Sequence, residues 1–320
     1  MKTIGVLTSG GDAPGMNAAI RAVVRGAIYN KLKVYGIRRG FEGLLEGDFE
    51  EMEVSSVSDI IQRGGTILRT ARSEEFMEPS GFSRALDMLE NFEIDGLVVI
   101  GGDGSLRGGL ELSRAGIKVM GIPGTIDNDL AYTDYSIGFD TAVNTVLSSI
   151  SNIRDTSSSH GRCTVVEVMG RDCGNIALHA GLAGGAECIL VPEEEVDINK
   201  ICRKIIQGKN RGKLHNLILR AEGVELGTTE LAEIIERRTG LETKVVVLGY
   251  TQRGGSPTAR DRNLASLMGY RGVELLLAGS ESRAIGIRGS EIMDMDLSEA
   301  LEMKRTWDPS IMNLSDILSI

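Results

Sequence analysis

The sequence predicts an α/β fold built on parallel sheets, and three observations lead to this expectation. Short apolar runs rich in Val, Ile and Leu recur along the 320 residues. Each run ends in a glycine-containing turn, and a stretch with helical spacing of apolar residues follows the clearest of them. Strands that are apolar throughout and alternate with helices are typical of parallel sheets buried on both faces.

The predicted strands follow one another in a regular order. KTIGVLT precedes the turn SGGDAPGMN and the helix-like AAIRAVVRGAIYN, IDGLVVI precedes GGDGS, KVMGI precedes PGTIDND, and RCTVVEVM precedes GRDCGN. NLILRAEG and KVVVLG show the same pattern. Open parallel sheets bind ligands beyond the carboxyl ends of their strands, so the functional residues are expected in these glycine-rich turns.

Length and composition predict a soluble protein of about two domains. Hydrophobic residues make up 42% and charged residues 25% of the chain, the balance of an ordinary globular protein. No apolar run approaches the ~18 residues of a membrane span, and MKTIGVLTSGGDAPG has no signal-type apolar core. A cytoplasmic protein is therefore expected. The best candidate boundary is a helical stretch from about Asp140 to His160, after which the strand pattern restarts.

The net charge of −10 argues against a nucleic-acid partner, because there is no domain-wide basic field to displace counterions. A small anionic ligand remains compatible with local clusters of Arg and Lys. The four cysteines, Cys163, Cys173, Cys188 and Cys202, form no C-x-x-C pair. Buried thiols in a reducing compartment are therefore favoured over a zinc site.

Gly10 and Gly11 lie between a predicted strand and a predicted helix. Neither G-x-x-x-x-G-K-[ST] nor G-x-G-x-x-G is present. Backbone amides and the helix dipole would nevertheless favour a phosphate at this position. A plain tight turn is the alternative, and the glycines alone do not decide between the two.

The GGDGS turn contains a carboxylate, Asp103, where a phosphate would be repelled unless Mg²⁺ lay between them. Mg²⁺ commonly uses one or two carboxylates together with substrate phosphates and water. A helix N-cap is the alternative role for Asp103, but a cap does not require two preceding glycines. The sequence therefore favours a metal–phosphate site.

PGTIDND places Asp127 and Asp129 directly after another predicted strand. In an extended segment their side chains would point to the same side. One could then hold Mg²⁺ while the other accepts a proton from an attacking hydroxyl, the division of roles that phosphoryl transfer needs. An Asx-turn with solvated carboxylates is the alternative.

Four arginines lie beside glycine turns or strand ends and suit bidentate pairing with phosphate. They are Arg72, Arg162, Arg171 and Arg253. Each alone could be a solvated surface residue. Glu222, in the AEG segment, could accept a hydrogen bond from a sugar hydroxyl or pair with a neighbouring Arg.

Taken together, the motifs make the sequence similar to the bacterial ATP-dependent 6-phosphofructokinases along nearly its whole length. The resemblance rests on LTSGGDAPGMNAAIR, GGDGS, PGTIDND, VMGR, AEG and QRGGSPTARDR. It implies phosphorylation of the 1-hydroxyl of fructose 6-phosphate by ATP with Mg²⁺ in glycolysis, in a cytoplasmic, allosteric homotetramer. It also implies two Rossmann-like domains of mostly parallel sheets flanked by helices, with the active site in the cleft between them. The larger, ATP-binding domain would comprise residues 1–139 and about 253–303, and the sugar-phosphate domain about 140–252 and 304–320.

The resemblance assigns roles to individual residues of this chain. Asp127 would be the general base, with Thr125, Arg171 and Arg72 as further catalytic residues and Asp103 as the Mg²⁺ carboxylate. The implied ATP site is Gly11, Arg72, Ser73, Gly102, Asp103, Gly104 and Ser105. The implied sugar-phosphate site is Thr125, Ile126, Asp127, Asp129, Arg162, Met169, Gly170, Arg171, Glu222, Lys244, Tyr250 and Arg253, of which Arg162 and residues near Lys244 would act across a subunit interface. A site for nucleoside diphosphate or phosphoenolpyruvate effectors would use Arg21, Arg25, Arg154, Gly185, Glu187, Arg211, Lys213 and His215.

Two pairs of positions refine this expectation. Gly104 and Gly124 match the ATP-dependent type, because pyrophosphate-dependent relatives carry Asp and Lys there. Lys244 and Tyr250 stand where the family usually has Arg and His at the 6-phosphate. Alternative hypotheses are a pyrophosphate-dependent enzyme, a lipid or dinucleotide kinase with a GGDG-type segment, and a regulatory binding paralogue.

Overall fold

The computed structural model describes residues 1–319, which form two compact units. The first unit comprises Met1–Ile126, Leu130–Thr141 and Arg253–Arg305. The second comprises Asp127–Asp129, Ala142–Gln252 and the chain from Thr306 onward. Each unit contains one sheet with its own helices.

The regular elements are numbered in chain order. The strands are β1 Thr3–Thr8, β2 Lys33–Ile37, β3 Phe49–Glu51, β4 Gly96–Gly101, β5 Lys118–Thr125, β6 Ile137–Gly138, β7 Cys163–Val168, β8 Cys188–Leu190, β9 Asn216–Ala221, β10 Thr243–Val247, β11 Arg283–Arg288 and β12 Glu291–Asp296. The α-helices are α1 Met16–Tyr29, α2 Gly40–Glu46, α3 Pro79–Asn91, α4 Asp103–Arg114, α5 Phe139–His160, α6 Asn175–Gly184, α7 Ile198–Asn210, α8 Thr228–Thr239, α9 Ala259–Leu277, α10 Leu297–Glu302 and α11 Ser310–Leu318.

The first unit is built on a mostly parallel sheet, as the sequence predicts. Its strand order is β12-β11-β5-β4-β1-β2-β3, with the short β6 paired to β5. The central pairs β1–β2, β1–β4 and β4–β5 are parallel, whereas β3 and β12 run antiparallel to their neighbours at the two edges. β1 and β4 are buried throughout, which is why they read as continuous apolar runs.

Helix α1 shows how the sequence produces the helical layer of the first unit. Ile20, Val23, Val24 and Ala27 recur at helical spacing and are fully buried, so they form one apolar face. This helix packs against α9. Gly26 has no side chain, so the ring of Tyr270 can lie close to the backbone of α1. Arg21 and Arg25 of α1 are partly exposed.

The second unit contains a four-stranded parallel sheet in the order β10-β7-β9-β8. β7 and β9 are central and buried almost throughout. The prediction of burial on both faces is wrong for β10, where Val247 is 59% exposed in this chain. β10 lies at one edge of its sheet.

The cysteines and the predicted long helix agree with expectation. All four cysteines of the described chain are free and buried, and burial raises the pKa of Cys163 and of Cys188 to about 12. The helical stretch predicted near Asp140 to His160 is α5. Across residues 1–319, no helix is both long enough and apolar enough to cross a membrane.

In the first unit, a buried carboxylate fixes the chain where β6 leads into α5. Asp261 of α9 accepts hydrogen bonds from the backbone amides of Gly138 at 2.9 Å and Thr141 at 2.8 Å, and from the Thr141 hydroxyl. Burial raises the pKa of Asp261 despite these bonds. The side chain therefore acts as a remote cap for amides that the helix itself cannot satisfy.

We expect Asp261→Ala to lower the free energy of unfolding by about 2–4 kcal/mol, because it leaves buried donors without an acceptor. Asp87→Ala, at an exposed position of α3, is the control and should change it by less than about 0.5 kcal/mol. Urea unfolding measures both. Equal effects of the two variants would contradict the capping role.

Candidate active site

In the first unit, the carboxyl ends of β1, β4 and β5 lie side by side because these strands are parallel neighbours. The amide of Ser9, just after β1, donates to the carbonyl of Ile100 in β4 at 3.0 Å. The GGDGS turn approaches the end of β5, since a Cβ on Gly102 would lie 3.5 Å from Cβ of Thr125. Three motifs that are far apart in sequence therefore meet at one sheet edge.

Gly11, in the turn after β1, lies against the guanidinium of Arg253, a contact that the sequence did not reveal. A Cβ on Gly11 would lie 2.4 Å from Nη1 of Arg253, whose guanidinium donates to the carbonyl of Asp12 at 3.3 Å. Gly10 has φ of +83°. Helix α1 begins only at Met16, so the two glycines belong to the turn before the helix and not to its first turn. Arg253 thus contacts the predicted phosphate loop.

Arg72 and Ser73 lie in an irregular segment tied to the same turn. The hydroxyl of Thr70 donates to the carbonyl of Gly10 at 2.6 Å. The Ser73 hydroxyl accepts from the amide of Phe76 at 3.3 Å, and Arg72 is exposed. The first unit therefore brings this segment to the β1 turn.

The GGDGS turn leads directly into α4. The N-cap is Gly102, and Asp103 is the first helical residue; the N-cap role considered for Asp103 is therefore wrong. The Asp103 carboxylate accepts a hydrogen bond from Nε of Arg107 at 2.7 Å, which raises the pKa of Arg107. Apart from its chain neighbours and the adjacent backbone of α4, no described atom lies within 4 Å of the position that a Cβ on Gly104 would take. The helix N-terminus thus faces open space that suits an anion.

These residues fit Mg²⁺ in one particular way. Within residues 1–319, no group of three or more His, Cys, Asp or Glu side chains could hold a metal ion. Asp103 has 39% of its side chain exposed and stands at the helix N-terminus that suits phosphate. One carboxylate beside a phosphate site fits an ion that takes its other ligands from substrate phosphates and water.

The end of β5 is held from within the first unit. β6 pairs with it through Gly124 opposite Ile137 and Thr125 opposite Gly138. The hydroxyl of Ser136 donates to the carbonyl of Thr125 at 2.7 Å. Thr125 and Ile126 are buried, and Asp127 follows them directly in the chain.

In the second unit, Asp127, Asn128 and Asp129 form a bend rather than an extended segment. Asn128 has φ of +52°, a left-handed conformation that Asn tolerates better than most residues. The premise of an extended segment, from which a common side for Asp127 and Asp129 was inferred, is therefore wrong. Asp127 is 3% exposed, so its carboxylate is not the solvated one of a surface Asx-turn.

Asn175 is a residue of this site that the sequence analysis missed. Its Nδ2 donates to the carbonyls of Asn128 at 2.8 Å and Asp127 at 3.2 Å. Asn175 is the first residue of α6 and is 3% exposed. The signal was present in GRDCGN, where a polar residue follows a glycine at a helix start, but its partners lie in a distant segment.

The VMGR and AEG segments come together at the ends of β7 and β9. One oxygen of Glu222 accepts from the amides of Arg171 at 2.8 Å and Gly170 at 3.1 Å. A Cβ on Gly223 would lie 2.3 Å from the carbonyl of Arg171. The two loops thus touch through their backbones. Met169 donates its amide to Oε1 of Gln252 at 3.1 Å.

A cavity of 220 Å³ opens beside these loops within the second unit. It is lined by Glu167, Val168, Met169, Glu222, Val247, Gly249 and Tyr250. Tyr250 is 83% exposed.

Glu242 pairs with Lys244 at 2.7 Å and Arg162 at 2.5 Å, and these two cations lower the pKa of Glu242. The structure therefore brings Arg162 and Lys244 together on one carboxylate.

The implied effector residues are divided between the units. Arg21 and Arg25 lie on α1 of the first unit, and the other six lie in the second. There, buried Glu187 pairs with Lys213 at 2.6 Å, and Arg154 donates to the carbonyl of Gly184 beside Gly185. His215 lies 2.8 Å from the Ser158 hydroxyl, and burial lowers the pKa of its imidazole. Arg211 is exposed at the C-terminus of α7.

Comparison with known proteins identifies the family. The model of the family described as Phosphofructokinase matches residues 3–276. The chain belongs to the phosphofructokinase family. It is 61% identical over 320 residues to an ATP-dependent 6-phosphofructokinase of Alkaliphilus metalliredigens and 60% identical over 319 residues to one of Clostridium botulinum. Both alignments cover 100% of each chain.

Solved phosphofructokinase structures share the fold. The Pichia pastoris phosphofructokinase in the T-state superposes with a TM-score of 0.90 at 37% identity; the match covers 94% of this chain and 37% of that longer chain. A pyrophosphate-dependent phosphofructokinase of Marinobacter aquaeolei gives a TM-score of 0.87 at 24% identity, covering 97% and 86%. This second likeness concerns the fold alone.

We expect Asn175→Ala to lower the free energy of unfolding by about 1–3 kcal/mol, because two buried carbonyls lose a donor. Asn199→Ala, at an exposed position of α7, should change it by less than about 0.5 kcal/mol. Urea unfolding of the two variants is the measurement. A loss no larger than that of the control would show that Asn175 does not hold the Asp127 segment.

Proposed function

We propose that this protein is an ATP-dependent 6-phosphofructokinase of glycolysis. It transfers the γ-phosphoryl group of ATP to the 1-hydroxyl of fructose 6-phosphate, giving ADP and fructose 1,6-bisphosphate. The observation that carries the proposal is the 60–61% identity over full length to relatives with this name. The arrangement of the GGDGS and TIDND segments after neighbouring strands β4 and β5 supports it.

Different residues would bind ATP, neutralise the phosphate charge and accept the proton. The turn after β1, the Arg72 segment and the start of α4 would bind ATP in the first unit. Bound Mg²⁺, with Asp103 as its protein carboxylate, would neutralise charge on the transferred phosphate. Asp127 would accept the proton of the attacking hydroxyl, while Thr125 and Arg171 position and stabilise the phosphoryl group. Positioning and charge neutralisation are what this chemistry chiefly requires.

Most of the residues assigned to the sugar phosphate lie in the second unit, whereas Arg253 lies in the first. Glu222 and the Met169–Arg171 loop would hold the sugar, with Asp129 at the transfer site, and Arg162, Lys244, Tyr250 and Arg253 would supply the phosphate contacts. The lining of the 220 Å³ cavity by Met169, Glu222 and Tyr250 supports this assignment.

Regulation and assembly complete the proposal. Nucleoside diphosphate or phosphoenolpyruvate would bind the effector residues, in a cytoplasmic homotetramer. Lys213, which pairs with Glu187, and Arg154, which lies beside Gly185, are basic side chains that suit an anionic effector. The T-state of the Pichia relative belongs to a two-state description of allostery, which supports extending such regulation to this chain.

The general-base role predicts that Asp127→Ser lowers kcat by about 10²–10⁴. Fructose 6-phosphate binding should change far less, because the proton is transferred only during reaction. Asp87→Ser, on an exposed face of α3, should leave kcat unchanged. Steady-state kinetics test this, and near-wild-type kcat in Asp127→Ser would remove Asp127 from the base role.

The donor is predicted to be ATP with Mg²⁺, since Gly104 faces open space that a nucleotide phosphate can occupy. Gly104→Asp should raise the KM for ATP more than the isosteric Gly104→Asn, because the carboxylate adds repulsion to the lost space. A coupled assay with ATP or pyrophosphate measures both donors. Wild-type turnover with pyrophosphate that equals or exceeds turnover with ATP would contradict the assignment.

Lys244 and Tyr250 predict a high KM for fructose 6-phosphate. An Arg offers two parallel hydrogen bonds to phosphate where Lys offers a point charge. The double variant Lys244→Arg with Tyr250→His should therefore lower this KM roughly tenfold, the value of one hydrogen bond to a charged group. The KM for ATP is the internal control and should not change. An unchanged or higher sugar-phosphate KM would contradict the prediction.

A further inference from the structure

Arg220 is a buried cation that none of the assigned roles uses. It lies in β9 and is 4% exposed. Its Nε donates to the carbonyl of Leu226 at 2.7 Å, Nη2 to that of Val224 at 2.5 Å, and Nη1 to the Glu167 carboxylate at 2.9 Å. A guanidinium is rarely buried unless it is paired in this way.

Two of these hydrogen bonds close the loop that carries Glu222. The loop leads from β9 to α8, and both acceptor carbonyls lie on it. The amide of Glu222 donates to the carbonyl of Val168 at 2.8 Å. The loop is therefore fixed at its start by the neighbouring strand and farther along by the guanidinium. The planar fork of Arg can reach separate acceptors at fixed angles, which the ammonium group of Lys cannot do.

The third hydrogen bond reaches the wall of the cavity. Glu167 lies in β7, lines the 220 Å³ cavity together with Met169 and Glu222, and also accepts a hydrogen bond from the Thr228 hydroxyl. An unneutralised carboxylate at this wall would repel an anionic ligand. Arg220, which does not line the cavity, supplies the opposite charge and holds the Glu167 carboxylate in one orientation.

We propose that Arg220 is a positioning residue for sugar-phosphate binding. It fixes the Glu222 loop against the Met169–Arg171 loop and neutralises Glu167 at the cavity wall. This rests on the proposed function, since it takes the cavity to be the sugar-phosphate site. Arg220 does not touch the substrate and acts through the residues that do.

The test compares four variants: Arg220→Met, Arg220→Lys, the double variant Glu167→Gln with Arg220→Met, and the control Arg238→Met. Arg238 is exposed on α8. Arg220→Met should raise the KM for fructose 6-phosphate roughly tenfold or more, with kcat and the KM for ATP changed less than about threefold. Arg220→Lys should fall between wild type and Arg220→Met, because it keeps the charge and loses the fork.

The double variant separates positioning from simple charge pairing. Removing both charges should restore part of the melting temperature lost in Arg220→Met, because the half-buried Glu167 carboxylate no longer lies there without its cation. The sugar-phosphate KM should stay raised, since the two loop carbonyls still lack their donor. A double variant that regains both the melting temperature and the wild-type KM would overturn the proposal, as would an unchanged KM in folded Arg220→Met.

Hydrogen exchange provides a readout that does not need turnover. In Arg220→Met, the amides of the loop 222–227 should exchange at least tenfold faster than in wild type, while Arg238→Met leaves them unchanged. Unchanged hydrogen exchange of these amides in Arg220→Met would overturn the proposal that Arg220 anchors the loop. A wild-type protein without phosphotransfer activity would reject the proposed function, and the exchange result would still decide whether Arg220 holds the loop.

Discussion

The parallel pairing of β1, β4 and β5 is the constraint on which the proposed nucleotide site depends. Parallel neighbours end at the same sheet edge, so the turns that follow them must lie together. Helix α4 begins immediately at that edge, which places the partial positive charge of its N-terminus there. The parallel direction of the strands, rather than contacts between Asp103, Gly104 and Thr125, brings these three residues to one end of the sheet.

The strands that form long continuous apolar runs could be predicted from the sequence, whereas short strands and strands of mixed polarity could not. β1, β4, β5, β7 and β9 are continuous apolar runs, and each was expected. β12, with the sequence EIMDMD, mixes polar and apolar residues at a sheet edge. β8 has only three residues. Neither strand therefore has a hydrophobic pattern long enough to predict it. β10 was recognised as a strand, but composition could not show that it lies at an edge. Edge position depends on the strand order, which is a long-range property.

Candidate site residues within a local motif could be proposed from the sequence, whereas residues that act through a distant partner could not. The resemblance pointed to Asp103, Asp127 and Glu222 because their motifs are contiguous. Asn175 holds Asp127 and Asn128 through their carbonyl oxygens, and the role proposed for Arg220 depends on the carbonyls of Val224 and Leu226. Any residue can supply a carbonyl. Their role appears only when the chain has folded. The bend at Asn128 was missed for a related reason, because strand periodicity assumes the extended backbone that its left-handed conformation breaks.

The most direct test of the central claim is phosphorus NMR of the reaction products formed from ATP, Mg²⁺ and fructose 6-phosphate. The proposed chemistry predicts that ADP appears in equal amount with a new phosphomonoester whose phosphorus couples to the protons on C1 of the sugar. The original 6-phosphate signal should persist as the second phosphate of the same product. Inorganic phosphate in place of the new ester, or a phosphate on another sugar hydroxyl, would contradict the account.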